Sequence, residues 1–357
     1  MPGTWLPTRR GPQDEHLRHQ PFAARPLTPE RLAALIDARG ELLEGLGRHP
    51  EWAEREAELF GLLKSVLTVG DLRLLRIDRH TPVTVLDKIV KYEAVHRIQG
   101  SRDLERRLAE DRRCYAFVHP ALPDEPLIFT ELALAHGMSS DAQVLLDSES
   151  PIADPSTCTC AIFYSISSCH EGLKGVALGN ALIGQVADEL ESVYSGLETF
   201  ATLSPVPGFR AWVMNLAPSG TGGALSANAA LALARLERSG WRGDVEMSDE
   251  LERELLPLCA YYLLRVKRGG EAADPVARFH FRNGACLERI NWLSDTSVAG
   301  MRRAAGLMVN YLYRRNNPRC RYDAATRTQN MSASPRVERL AGKASTLFSQ
   351  KAPIGVR

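Results

Sequence analysis

Three stretches of the chain carry residue types whose spacing could do chemistry. The first is Leu203-Ser204-Pro205-Val206-Pro207-Gly208-Phe209. Two prolines stiffen the backbone, and Ser204 sits where a strand gives way to a loop, a position that often presents reactive side chains. The plain alternative is a strand-ending turn with a capping serine. The second is Asp274-Pro275-Val276-Ala277-Arg278-Phe279-His280-Phe281-Arg282-Asn283-Gly284-Ala285. Asp274-Pro275 starts a helix, His280 falls near its end, and Asn283-Gly284 stops it. An imidazole there suits proton transfer near neutral pH, and one flanked by two phenylalanines also suits a core. The third is the turn Gly172-Leu173-Lys174-Gly175-Val176-Ala177-Leu178-Gly179-Asn180, between an apolar run and an amphipathic helix. Glycines let the backbone approach a ligand, and a helix N-terminus favours a pyrophosphate. It is neither a Walker A loop nor a G-x-G-x-x-G fingerprint.

The turn at 172–180 resembles the acyl-CoA loop of the Gcn5-related acetyltransferase (GNAT) fold, Gln/Arg-x-x-Gly-x-Gly/Ala, with Gly175 and Ala177 in the last two positions and Gly172 in place of Gln/Arg.

The elements that must position these residues follow from periodicity. Residues 28–110 read as a helical N-terminal domain. Thr28-Pro29 and Thr81-Pro82 are start signals, and Leu32, Leu35, Ile36, Leu43 and Leu46 keep a helical period. From 111 the pattern changes to strands at Cys114–His119, Leu127–Leu134 and Cys160–Ser167, the helix carrying Leu178, Leu182, Ile183, Val186 and Leu190, and a strand at Glu198–Leu203. Helices near 223–239 and 249–267, the short helix ending near His280, a strand at Cys286–Trp292, a helix at 295–305 and a strand at Leu307–Tyr313 complete an α+β domain over 111–325. Residues 1–27 read as a disordered leader and 326–357 as a loose tail. The domain boundary is expected between 95 and 113.

Composition narrows the classes. The chain has 357 residues, 44% hydrophobic and 24% charged, as in a soluble globular protein. Basic and acidic side chains number 44 and 43, for a net charge of +1, which argues against a nucleic-acid binder. No apolar run is long enough for a membrane span, and no targeting signal is visible, so a cytoplasmic location is expected. Seven cysteines, an odd number without C-x-x-C, read as reduced thiols, with no metal site.

Taken together and in this order, the Gly-rich turn, LSPVPGF and DPVARFHFRNGA resemble the malonyl-CoA decarboxylase family. YEAVH (Tyr92–His96), RRCYAFVHP (Arg112–Pro120), AIFYSIS, RINWLSDTS (Arg289–Ser297) and GLMVNYLY (Gly306–Tyr313) extend the likeness over roughly 60–315. The resemblance implies a helical N-terminal domain followed by a GNAT-like mixed-sheet catalytic domain. It implies a carboxy-lyase that turns malonyl-CoA into acetyl-CoA and carbon dioxide in fatty acid metabolism, as a homo-oligomer, dimer or tetramer. It places the catalytic serine at Ser204 and the catalytic histidine at His280. The CoA-binding stretch falls on Lys174, Gly175, Val176, Ala177, Leu178, Gly179 and Asn180, and Asn283 and Tyr313 have supporting places. Some relatives carry Glu where this chain has Ala177, and the helical domain is short for the family. No cofactor is expected, because CoA arrives with the substrate and the thioester carbonyl accepts the electrons that carbon dioxide leaves behind. The rival readings are a CoA-dependent acetyltransferase on the same fold and a non-catalytic acyl-CoA-binding module.

Overall fold

The computed structural model describes residues 27–216, 225–237, 240–313 and 331–348. The expected leader therefore lies outside the described residues, except for its last position.

Two helices open the described chain, α1 (Pro29–Gly45) and α2 (Ala53–Val66). Thr28 caps α1 by accepting from the Arg31 N–H, with Pro29 at the first helical position. Leu32, Leu35 and Ile36 form its buried side. The all-helical reading of 28–110 then fails. Arg73–Ile77 is a strand, β1, paired antiparallel with β2 (Arg112–His119), from Arg73↔Val118 to Ile77↔Cys114. Its five residues are too short to show a period, and the edge of the sheet supplies the hydrogen bonds that decide the conformation. Helices α3 (Val83–Tyr92) and α4 (Ser101–Arg107) follow. Because β1 belongs to the large sheet, that sheet draws on residues from both sides of the expected 95–113 boundary.

Strands β3 (Leu122–Ala135) and β4 (Cys160–Ser168) continue the sheet antiparallel, with α5 (Ala142–Leu146) between them. Helix α6 (Leu178–Val193) crosses over to β5 (Thr199–Thr202), which runs parallel to β4. The order is β1-β2-β3-β4-β5-β10-β6, where β6 is Ser204–Pro205, β10 is Met308–Leu312, and β9 (Cys286–Asn291) also pairs with β10. This is the α+β mixed sheet that the resemblance implies.

Two irregularities open the sheet at its middle. The β4–β5 pairing ends at Phe163↔Thr202, closed by the Leu203 N–H on the Phe163 carbonyl at 2.9 Å. The chain then stays on β10, with Val309 opposite Ser204, while β4 runs on to Ser168 paired with β3 but no longer with β5. In β4 itself, Glu131 pairs with Ser165 and Leu132 with Phe163, so Tyr164 is the extra residue of a bulge.

The second half supplies the other wall. Helix α7 (Phe209–Leu216), unexpected from the sequence, leads to α8 (Ala227–Leu236) and α9 (Val245–Arg265). A short hairpin, β7 (Lys267–Arg268) with β8 (Glu271–Ala272), precedes α10 (Pro275–Arg282), and α11 (Val298–Ala304) precedes β10. The loose-tail expectation is overturned over 335–343, where α12 (Pro335–Lys343) forms. Ser334 caps it, and Val337 and Ala341 are buried against α9 and β9. Ser334-Pro335 is a start signal like Thr28-Pro29, and Val337, Leu340 and Ala341 keep a helical spacing that the polar composition of the tail masks. Residues 314–330 and 349–357 lie outside the described residues.

Candidate active site

Ser204 and His280, 76 positions apart, meet at the opened sheet. Ser204 Oγ lies 3.0 Å from His280 Nε2 and 2.8 Å from Thr202 Oγ1. Both Ser204 and His280 are buried. Their approach is set by Asp274, itself wholly buried. One carboxylate oxygen accepts the Val276 and Ala277 N–H groups at 2.9 and 3.0 Å, capping α10. The other accepts the Gly208 N–H at 3.2 Å, tying the helix that carries His280 to the turn that follows Ser204. Gly208 is required there, because a Cβ would run into the Tyr262 hydroxyl. Burial raises the Asp274 carboxyl, and the three N–H groups pull it back toward the ionised form.

His280 stacks on Tyr311 with ring centroids 4.3 Å apart, and its Nδ1 lies 2.8 Å from the Tyr313 hydroxyl. The Asn283 side chain adjoins that hydroxyl. Thus the third member of the constellation is a phenol, where a triad would carry a carboxylate. With only hydroxyls against it, burial pushes His280 down to about 3. The imidazole is therefore neutral at pH 7. Without substrate, the hydrogen this ring offers is that of a neutral ring N–H.

A cavity of about 350 Å³ runs from this pair to the Gly-rich turn. Its lining includes Leu173, Lys174, Gly175, Val176, Leu178 and Gly179 on the turn, Phe163 and Ser165 on β4, and Ser204, Phe279 and His280. Lys174 is the one permanently charged side chain in that lining. Ala177 and Asn180, the other two residues of the expected binding stretch, are exposed and outside it. The turn takes its shape from glycines. Gly175 has φ +83°, and a Cβ on Gly179 would stand 2.7 Å from the Phe279 ring. Gly172 is glycine for another reason: the Ile36 carbonyl of α1 occupies the space of a Cβ. That contact accounts for the departure from the Gln/Arg of the acyl-CoA loop pattern. Helix α6 has no side-chain cap, which leaves its first-turn N–H groups for a ligand.

Sequence reasoning missed three participants. Thr202 lies two residues before Ser204 on the same strand face, and Tyr311 two before Tyr313. A period of two would have found both. Glu93, in the YEAVH stretch, carried no recognisable spacing. Its carboxylate accepts the Val95 and His96 N–H groups at 2.9 and 2.7 Å and the Ser165 hydroxyl at 2.7 Å, so it braces the cavity wall from behind.

These features define a class: an α+β protein whose mixed sheet parts over a pocket, with a buried hydroxyl–imidazole pair at one end and a glycine-shaped helix N-terminus at the other. Residues 70–351 match the malonyl-CoA decarboxylase C-terminal domain family. The crystal structure of malonyl-CoA decarboxylase from Rhodopseudomonas palustris is 41% identical with a TM-score of 0.81, covering 87% of this chain and 76% of that one. The mitochondrial malonyl-CoA decarboxylase of Anser anser anser is 38% identical over 86% of this chain, and that of Rattus norvegicus 35% identical over 78%. The chain spans 66% and 62% of the length of these two relatives. It belongs to the malonyl-CoA decarboxylase family. Among the described residues, no helix is long and apolar enough to cross a membrane.

Proposed function

We propose that this chain is a carboxy-lyase that converts malonyl-CoA to acetyl-CoA and carbon dioxide. One observation carries the reading: the Ser204–His280 pair, 3.0 Å apart, closes the cavity whose other end is the Gly-rich turn. The CoA pyrophosphate would lie on the N-terminus of α6 beside Lys174, and the pantetheine arm in the cavity. The malonyl group then reaches Ser204 and His280, which hydrogen-bond its carboxylate or carbonyl. The bond between the α-carbon and the carboxyl carbon breaks, and its electron pair flows into the thioester carbonyl. Backbone N–H groups at the Tyr164 bulge face the developing oxyanion, the place where fixed donors contribute most. Carbon then takes its proton from His280 Nε2. Ser204 acts as a hydrogen-bonding group, and no acyl-enzyme is formed. No cofactor takes part, since the thioester is the electron sink. The proposal places the reaction in fatty acid metabolism, in a cytoplasmic homo-oligomer that acts without membrane or nucleic acid.

Incubation with malonyl-CoA and no amine tests it. The decarboxylase yields acetyl-CoA, an acetyltransferase yields none, and a binding module holds CoA without product. Ser204→Ala and His280→Ala should each lower turnover about 10²–10⁴-fold. Wild-type turnover in either variant refutes the role given to that residue. Light scattering on the eluting protein reads the assembly.

A further inference from the structure

We infer that Thr202 is a positioning residue for this reaction: before substrate arrives its hydroxyl oxygen accepts the Ser204 O–H and thereby fixes His280 in the form that carries hydrogen on Nε2, and the Ser204 O–H turns to the malonyl oxygen only on binding. The inference rests on the decarboxylase reading of the site for its effect on rate, but not for the proton arrangement itself.

Ser204 has one hydroxyl proton, and the geometry directs it to Thr202 Oγ1 at 2.8 Å. Toward His280 Nε2, at 3.0 Å, Ser204 can then only accept. Nε2 must therefore bear the hydrogen. In a neutral ring Nδ1 is then bare, and it accepts the Tyr313 hydroxyl at 2.8 Å. Thr202 is held to its task. It is wholly buried, its β-branched side chain has restricted rotation, and its oxygen also accepts the Tyr311 N–H at 3.3 Å. Its carbonyl accepts Asn310 Nδ2 at 2.8 Å, and Asn310 Oδ1 is bound in turn by Asn291 Nδ2 and Arg289 Nε at 2.8 and 3.0 Å. These side chains form a braced frame that keeps the threonine oxygen in place.

No charged group competes for the ring. The side chains against it are Ser204 from β6, Phe279 from its own helix, Tyr311 from β10 and Tyr313 just beyond that strand. Asp274, six residues earlier at the N-cap of α10, spends its oxygens on N–H groups of the backbone. With the proton on Nε2, the imidazole faces the reacting carbon already loaded. The new C–H bond forms as the Nε2–H bond breaks and Nδ1 takes the Tyr313 hydrogen; once product leaves, water reprotonates Nε2 and the Nδ1 hydrogen returns to the Tyr313 oxygen, which restores both groups. A neutral imidazole acting as donor is established chemistry in other enzymes.

Thr202→Val removes the hydroxyl and keeps the shape, and Thr202→Ser keeps the hydroxyl. The expected result is a kcat at least about tenfold lower for the valine variant, with KM within about twofold, and near-normal kcat for the serine variant. Nitrogen-15 NMR of histidine-labelled protein should show the His280 hydrogen on Nε2 in wild type and moved toward Nδ1 in Thr202→Val. Wild-type kcat in the valine variant, an equal loss in the serine variant, or a wild-type spectrum with hydrogen on Nδ1 overturns the inference. The spectrum of the wild-type chain decides the matter if the valine variant does not fold. It also separates the two failures: a chain that makes no acetyl-CoA sinks the decarboxylase reading, while the NMR result alone judges the proton arrangement.

Discussion

Gly172→Ala is the change that most directly tests how the N-terminal helices shape the site. A Cβ on residue 172 would collide with the Ile36 carbonyl oxygen, and would lie 2.8 Å from the Ile36 carbonyl carbon and 3.2 Å from the Gly40 nitrogen. Carbon atoms rest about 3.5–4.0 Å apart, so α1 and the turn must separate by about 1 Å. That movement breaks the Arg39 Nη1 bond to the Gly172 carbonyl, 2.5 Å long, at a guanidinium only 4% exposed. Arg39 keeps Glu56, at 2.8 Å, but loses its second anchor. Overpacking costs about 1–3 kcal/mol. A hydrogen bond from a charged donor contributes about 1.5–3 kcal/mol. The two losses share one displacement, so their sum is an upper bound and about 3–4 kcal/mol is expected. The next four residues, Leu173 to Val176, line the cavity, whereas Ser204 and His280 stand on other elements. KM for malonyl-CoA should therefore rise about tenfold, with kcat reduced less than about threefold, the mark of lost binding rather than lost chemistry. Urea unfolding reads the stability and acetyl-CoA formation reads the kinetics. An alanine variant with the wild-type midpoint and KM would show that α1 does not set the turn, and the reasoning would be wrong.

Asp274→Asn should keep the cap of α10 through its carbonyl oxygen but aim an NH₂ group at the Gly208 N–H. The expected result is a loss of about 1–3 kcal/mol from that unsatisfied buried donor, with kcat falling more than KM changes. A kcat equal to wild type would count against the tie. Stability should depend on pH in two opposed ways. The unfolded chain takes protons at His280 and His96 below about 6.5, while burial holds them down to about 3 and about 4 in the fold, so acidification through that window destabilises. Glu131, pushed up to about 8 by burial and by Glu93 against the pull of the Arg107 guanidinium at 2.7 Å, keeps its proton in the fold while the unfolded chain loses it near 4.5. Stability at that group is thus lost as pH rises toward 8. Between pH 6.5 and 8 only the Glu131 limb acts among these three, so Glu131→Gln should flatten the fall in urea midpoint there. A fall of equal slope in both proteins rejects the assignment. Val337→Ala should cost about 2 kcal/mol through the emptied space against α9 and β9. A shift below about 0.5 kcal/mol in the unfolding midpoint would mean that α12 is not part of the cooperative unit.

What the sequence made legible was local. The strand carrying Cys160–Ser167, the helix from Leu178 and the start of α10 each announce themselves through a period or a cap, and the structure places them at those positions. Strand β1 was hidden because a partner surface, rather than its own pattern, decides it: β1 completes the ladder of β2, whereas α12 carries a Ser-Pro cap and an apolar spacing masked by the polar composition of the tail. The site divides the same way. Ser204 and His280 stand in motifs with unusual local chemistry. Their convergence depends on Asp274 reaching Gly208 across 66 positions, and on a bulge at Tyr164. Neither leaves a mark in spacing. Burial is the other hidden quantity. A histidine in sequence suggests a group that titrates near 6.5, and only the packing of Tyr311, Phe279 and the sheet around His280 turns it into a neutral donor.

That neutrality bears on how the reaction would be driven. A cation facing the malonyl carboxylate would hold it as an ion pair, and departure as uncharged carbon dioxide would then forfeit that pair's energy. The cavity instead offers the Ser204 hydroxyl and an uncharged imidazole, with Lys174 on the turn that would face phosphate. Hydrogen bonds from neutral groups are roughly half as strong as charge-assisted ones, so less is lost as carbon dioxide leaves. Donors aimed at the thioester oxygen gain as the enolate charge grows there. The difference between those two changes, rather than tight binding of the substrate, lowers the barrier. Hence adding a positive charge beside the pair should strengthen malonyl-CoA binding while slowing turnover. Pro275 lines the same cavity at the exposed N-terminus of α10, and Pro275→Lys brings a charge to that cavity; its KM should fall together with kcat. A lysine that lowered KM and raised kcat would show that the carboxylate leaves better from an ion pair than from this uncharged pocket.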